Sequence, residues 1–298
     1  MLRLIKAQTY VLFKTRTFKV LCIVAILMGL MLGGTAKLTS SEGFIRGALS
    51  QEGMSVEQQD EYIKTIQNNK DEDTGKVKPK SNIGVSVSSK DIFNPTLKEL
   101  FHSSFGSGIM EIFMAVLIGV MVASEYSSGT IKNILAYGKK REHYYISKLV
   151  ACTIGFTIIL GIMVSIGTIL SSFMFEWGEP FTITQAAQII EVFAGAIVIG
   201  MGIISVLMLL ATIVKSNGST IGIGIVVLGV LPSIISLLYG NYDWFDRIYE
   251  CTLSYNWTLL TSASPDNCDI LKAVVVGLVT SVIATTGGIT IFKKQDIK

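Results

Sequence analysis

Charge is what this sequence has least of. Asp, Glu, Lys and Arg make up 16% of its 298 residues, where a soluble globular domain carries about 25%. With half of the residues hydrophobic, the deficit excludes a surface wetted on all sides and points to a lipid environment. Histidine is scarce too, with only His102 and His143, and the four cysteines (Cys22, Cys152, Cys251, Cys268) show no CxxC or Cys/His spacing. That pattern offers no zinc site. There is no G-x-x-x-x-G-K-[ST] phosphate loop: "KSNGSTIG", from Lys215, lacks the Lys after Gly and the spacing, so this chain has no motif of its own for ATP. Neither H-E-x-x-H nor G-x-S-x-G occurs, and "REHYY" has no second histidine nearby, so nothing points to a hydrolase. A net charge of only +3 gives no bulk attraction for nucleic acid.

Long apolar runs fill the space that charge leaves. A helix needs about 20 mostly apolar residues to cross a bilayer, and six stretches qualify: 20–35, 108–124, 146–173, 186–214, 220–239 and 271–292. The expected fold class is all-α, a polytopic membrane protein with six transmembrane helices. The first run is the shortest. The 19 residues before it hold five basic groups, which weighs against a signal peptide cleaved at "GGTAK".

Lys and Arg near span ends set the orientation. One side collects Arg3, Lys6, Lys14, Arg16, Lys19, Lys132, Lys139, Lys140, Arg141, Lys148, Lys215, Lys293, Lys294 and Lys298, against three acidic residues, Glu125, Glu142 and Asp296. The short opposite loops, 174–185 and 240–270, hold only Arg247. Both termini are therefore expected in the cytoplasm. Residues 1–19 mix aliphatic, aromatic and cationic side chains and suit a helix in the cytoplasmic interface; the plainer reading is an extension of the first span.

Residues 36–107 then form a large first extracellular segment. Ser55 and Gln58 make a capping box opening a helix to about Gln67, with Val56, Ile63 and Ile66 on its apolar side. Residues 69–82 suit a solvated tip. Asn94-Pro95 has the chemistry of a second helix start, whose Leu97, Leu100 and Phe101 would lean on the membrane. Glu111 and Glu191 are carboxylates near the external ends of spans two and four, where such groups either line a substrate path or simply reach water. Pro232 should bend span five. Glycines in spans four to six serve packing within one subunit or contact with a second one. Cys251 and Cys268 share the last external loop and could pair, and Trp244, Tyr249, Tyr255 and Trp257 suit an interfacial belt.

Between spans two and three stands "SEYSSGTIKNILAYGKKREHYYISKLV", residues 124–150, longer than a reversal of the chain requires. Ser127, Ser128 and Gly129 interrupt the apolar run, and 130–137 is a short helix candidate with Ile131, Ile134 and Leu135 on one face. Gly138 and the cations of "KKR" follow. Cations alone would satisfy a positive-inside loop; the apolar trio argues for a surface that touches something soluble.

The stretch resembles the first cytoplasmic loop of ABC-2-type exporter permeases, and more narrowly is similar to that of bacitracin-resistance and lantibiotic-immunity permeases. Their pattern of Glu, Gly-Thr, Lys, two apolar residues, Arg and a later Lys falls here on Glu125, Gly129, Thr130, Lys132, Ile134, Leu135, Arg141 and Lys148. The resemblance implies that the short helix is a coupling helix docking into a separate ATPase subunit. That subunit would bind ATP and Mg, and this chain would hold no cofactor. It further implies pairing with a second copy or a sister permease, a bacterial plasma membrane whose lipids surround the chain, no nucleic-acid partner, and export of an amphiphilic peptide such as an antibiotic or bacteriocin. The competing expectations are a sensor or immunity protein that binds peptide without transport, and an exporter of lipid, polysaccharide or an ion.

Overall fold

The computed structural model describes residues 1–68, 89, 91, 93–106, 108–131, 140–178, 180–262 and 265–295. Helices are the only regular elements among them. Two, α1 (Leu2–Lys14) and α2 (Arg16–Thr39), are followed by α3 (Glu42–Gln51), α4 (Val56–Asn68) and α5 (Leu97–Ser103). Next come α6 (Ile109–Ser127), α7 (Arg141–Ser172), α8 (Ile183–Val214) and α9 (Asn217–Leu238). The chain continues through α10 (Asp243–Tyr249), α11 (Leu253–Leu260) and α12 (Asn267–Lys294). Six of these, α2, α6, α7, α8, α9 and α12, are long and apolar enough to span a bilayer. The chain is a multi-pass membrane protein.

The helix ends lie where the local chemistry puts them. Thr15 alone separates α1 from α2. Its backbone is extended (φ −67°, ψ 126°), and its hydroxyl donates to the Val11 carbonyl at 2.8 Å. The boundary expected at residue 19 therefore moves to Thr15, and the first segment is not a smooth extension of span one. Ser55 and Gln58 do form the expected cap of α4, with backbone N–H to side-chain contacts of 2.9 and 3.4 Å. Ile63 is buried there, but Val56 is exposed and falls off the apolar side. Before α5 the cap is Thr96 with Glu99, not Asn94-Pro95: Thr96 Oγ1 accepts from the Glu99 N–H at 3.3 Å, and Glu99 returns an oxygen to the Thr96 N–H at 3.0 Å. The expected solvated tip, 69–82, lies outside the described residues. The irregularity at Pro232 appears as a π-helical turn, 226–230, directly ahead of it, which accommodates a ring that cannot donate to the preceding turn.

Small residues set the helix crossings. On α2, Phe18, Leu21, Ala25, Gly29, Leu32, Gly33 and Ala36 are the buried set, spaced as one helix face. A Cβ on Gly29 would lie 2.9 Å from the Met163 carbonyl oxygen and 3.1 Å from the Gly167 nitrogen of α7. Helices α8 and α12 approach as closely, because a Cβ on Gly277 would lie 3.0 Å from Val198 O and the Ile199 Cα. Farther along the same seam the Ser205 and Ser281 hydroxyls meet at 3.0 Å. These glycines serve packing within the chain.

Helix α7 supplies a depth scale. Its residues 149–169 carry no charge and rise about 31 Å at 1.5 Å per residue, close to the thickness of the hydrocarbon core. Against that scale, α11 is not an external loop. Trp257 is 1% exposed with its ring centroid 6.2 Å from that of Phe156. A Cβ on Gly202 would meet Leu253, and one on Gly195 would meet Leu260. The chain from Gly240 to Ser262 thus packs back among the spans, at the level of their apolar residues. Of the four aromatics expected in a belt, Tyr249, Tyr255 and Trp257 are buried and only Trp244 is exposed. Tyr239 helps hold the hairpin by donating to Glu250 at 3.1 Å, and Lys272 pairs with the same carboxylate at 3.0 Å. Cys251 and Cys268 are exposed free thiols. The Cys251 thiol, one of the two that could pair in this loop, donates to the Arg247 carbonyl one turn back at 3.4 Å.

Helix α5 also packs inward rather than leaning on lipid, with Leu100 and Phe101 buried and Ser104 next to Gly167 of α7. His102 comes with it, 5% exposed. Burial, and secondarily the Lys98 charge, lower its pKa to about 4. An unfolded histidine titrates near 6.5, so the folded chain holds it neutral, and that stability is lost as pH falls from about 6.5 to about 4. The linkage amounts to at most about 3 kcal/mol. Thermal melts in detergent should show a steeper fall between pH 7.5 and 4.5 for the wild type than for His102→Phe; parallel curves would refute the assignment. At the α8–α12 crossing, Gly277→Ala should cost about 1–3 kcal/mol. Gly222→Ala, where a Cβ meets nothing within 4 Å, should be neutral or stabilising in the same melts.

Candidate functional site

Glu125, Arg141 and Lys148 of the 124–150 pattern gather at the basic end of the bundle, and the local backbone places them. In α6 the helix widens into a π turn over Gly119–Ala123, and the Met121 carbonyl within that turn accepts a side-chain donor. Lys148, two turns into α7, is 1% exposed. Its Nζ donates to that carbonyl at 2.8 Å and to Glu125 Oε1 at 2.7 Å. The second Glu125 oxygen accepts from the Tyr144 hydroxyl, one turn before Lys148 on the same helix. A lysine this deep is costly unless its charge is matched and its protons are used; here a carboxylate and a carbonyl do both.

Arg141, at the start of α7, stands beside this pair and contacts a different element, α12. One of its terminal nitrogens faces the carbonyls of Phe292, Lys293 and Gln295 at 2.8, 3.0 and 2.7 Å, capping α12 where orphan carbonyls and the helix dipole favour a cation. Its guanidinium carbon also stands 5.7 Å from the centre of the buried Phe292 ring. Tyr126, Tyr144 and Tyr145 surround that ring at 5.9–6.4 Å. Gln295 donates onward to the Thr212 carbonyl at 2.9 Å, and Tyr126 to the Thr212 hydroxyl at 3.4 Å. Glu142 pairs with Lys293. Four spans, α6, α7, α8 and α12, are tied together at this end.

Glu125, Arg141 and Lys148 therefore face the protein, and the structure brings them to one clasp. Gly129 turns the chain with φ +69°, a backbone that favours glycine, and Thr130 is exposed with its hydroxyl 2.8 Å from that of Ser128. Ile131 is buried. Lys132, Ile134 and Leu135 lie outside the described residues. Close by, a groove of about 680 Å³ opens between Met1, Leu2, Arg3, Leu4 and Ala7 of the first turns and His143 of α7.

The two carboxylates expected along a path do not come together. Glu191 is exposed on α8. Glu111 is 3% exposed and does not reach water as its place in the sequence suggested. Gly106 abuts Met163 and Leu117 abuts Gly155, so Glu111, between them on α6, sits near the middle of the apolar layer. Its Oε2 has no hydrogen-bond partner among the described residues. No group of three or more His, Cys, Asp and Glu that could hold a metal occurs among the described residues. The sequence reading missed Tyr144, Met121, Thr212, Phe292 and Gln295. Only Tyr144 left a signal, its four-residue spacing from Lys148; the others are joined through tertiary contacts.

A family model described as "Protein of unknown function (DUF2705)" matches residues 86–298, and the chain belongs to that family. The match takes in the whole clasp and leaves out α1 and α2. No curated protein and no solved structure matches the chain.

Removing one partner of a buried pair leaves the other charge stranded, at a cost of about 3–5 kcal/mol. Lys148→Met should therefore destabilise the chain strongly, and Glu125→Gln should relieve part of that loss when combined with it. A double-mutant cycle by thermal unfolding in detergent reads the coupling; strictly additive losses would show that the two residues act independently.

Proposed function

We propose that this chain is the membrane-spanning permease subunit of an ATP-driven exporter in a bacterial plasma membrane, with both termini cytoplasmic. A separate ATPase would dock on the segment between α6 and α7, and a second permease copy or a sister chain would complete the transporter. The observation that carries the reading is how that segment is anchored. Its α6 side is held through Glu125 to Lys148 and Tyr144, and its α7 side through Arg141 to the end of α12. A push delivered there would reach α6, α7, α8 and α12 together. The similarity of residues 125–148 to the ABC-2 loop supports the same assignment, and a chain without a phosphate-loop motif is consistent with nucleotide hydrolysis in the partner. The nearby groove supplies further apolar surface to a docked subunit. The cargo rests on the resemblance alone and is an amphiphilic peptide such as an antibiotic or bacteriocin. Glu111, ionisable and deep inside the bundle, belongs to the substrate path in this reading.

Pull-down of tagged protein from its native host, followed by an ATPase assay on the eluate, tests the assignment. Wild type should bring down an ATPase. Ile134→Asp with Leu135→Asp should release it. A chain that comes down alone, from an extract in which no ATPase binds it, would sink the proposal and favour a peptide-binding sensor or immunity protein.

A further inference from the structure

The elbow at Thr15 has a surface that neither the helix packing nor the proposed docking segment uses. Three cations stand exposed within six residues of one another, Lys14, Arg16 and Lys19. Two exposed aromatics, Tyr10 and Phe13, share the elbow with them. The Lys14 ammonium is 4.8 Å from the centre of the Tyr10 ring, and Phe13 meets Phe18 edge-on at 5.6 Å. Glu42 is the first acidic residue in the chain, so none of these cations has a carboxylate partner on its own or the adjoining helix. The inner face is already taken: Leu12 is fully buried against Gly155 of α7, and Phe18 and Leu21 are buried on α2.

What the outer face meets is indicated by its continuation. Val20, Ile23, Leu27, Leu30 and Met31 are exposed along α2, an apolar stripe that faces acyl chains in a bilayer. The cations therefore stand at the edge of the hydrocarbon layer, where phosphate groups lie. Exposed aromatics prefer the same depth. A zwitterionic headgroup would bring its own cation to this cluster, whereas an anionic one matches it.

We propose that the α1–α2 elbow is a docking surface for anionic phospholipid, with Lys14, Arg16 and Lys19 holding the headgroup and Tyr10 and Phe13 seated beside it. Lipid bound there braces α1 against α2 across the one-residue break at Thr15. The surface is independent of the docking segment between α6 and α7, and its failure would leave the permease reading untouched.

The test uses full-length protein released from nanodiscs that contain equal phosphatidylglycerol and phosphatidylcholine, with retained lipid counted by native mass spectrometry. Wild type should retain phosphatidylglycerol preferentially. The Lys14→Gln, Arg16→Gln, Lys19→Gln variant should lose the preference by about fivefold per cation removed. Lys14→Arg with Lys19→Arg should keep it, and so should Lys294→Gln, a cation at the same end on another helix. Raised salt should weaken retention in the wild type more than in the triple variant. Equal retention of the two lipids by wild type would overturn the proposal, as would an equal loss in Lys294→Gln, which would mark general attraction to the basic end.

Discussion

Lys148 is the charge around which the basic end of the bundle is arranged. A buried ammonium needs a counter-charge and acceptors for its protons, and each part of the answer shapes the backbone. Glu125 must lie at the end of α6 and within reach of α7. A further acceptor is needed, and the Met121 carbonyl, within the π turn at 119–123, supplies it. The turn leans on Asn217 and Ile221 of α9, which would collide with any side chain at Gly119. Tyr144 closes the second carboxylate oxygen and presents its ring to Phe292, and Arg141 then fastens the helix that carries Phe292. The ion pair joins α6 to α7, and the contacts of Arg141, Tyr126 and Gln295 around it add α12 and α8; exposed pairs such as Arg46–Asp60 contribute little of this kind.

The opposite end is organised by the need to satisfy backbone in an apolar medium. The hairpin of α10 and α11 brings irregular chain down to the level of Phe156. It survives there because Asn256, fully buried, donates to the Glu250 and Thr252 carbonyls at 2.8 Å each. Glycines on α8 make room for Leu253 and Leu260. Glu99 has the same office at α5, where it accepts from Ser89 as well as from the Thr96 backbone.

Much of this was legible in the sequence, and for identifiable reasons. Long uncharged runs locate spans because hydrocarbon tolerates nothing else, and all six appear within a few residues of where composition put them. The Ser55–Gln58 cap was readable because capping is local. Depth was not. Tyr249, Tyr255 and Trp257 look like a belt in a loop until their long-range contacts are known, and the same aromatic composition serves an interface or a core. Glu111 looked close to water because span two was counted from its apolar residues, whereas α6 begins partway down. The clasp was half legible: Glu125, Arg141 and Lys148 stood out by pattern, but their direction depended on Phe292 and Gln295, more than 140 residues away in sequence.

The hairpin has another consequence through its cysteines. Two thiols mark its ends, Cys251 at the turn between α10 and α11 and Cys268 at the start of α12; both are exposed, while Cys152 is sealed inside the bundle and Cys22 is half-buried. The chain thus carries one native attachment point at the turn of the hairpin and another where the chain leaves it for α12. A pair of spin labels placed there would behave as a ruler along the hairpin, reporting whether its turn stays seated against α8 and α12.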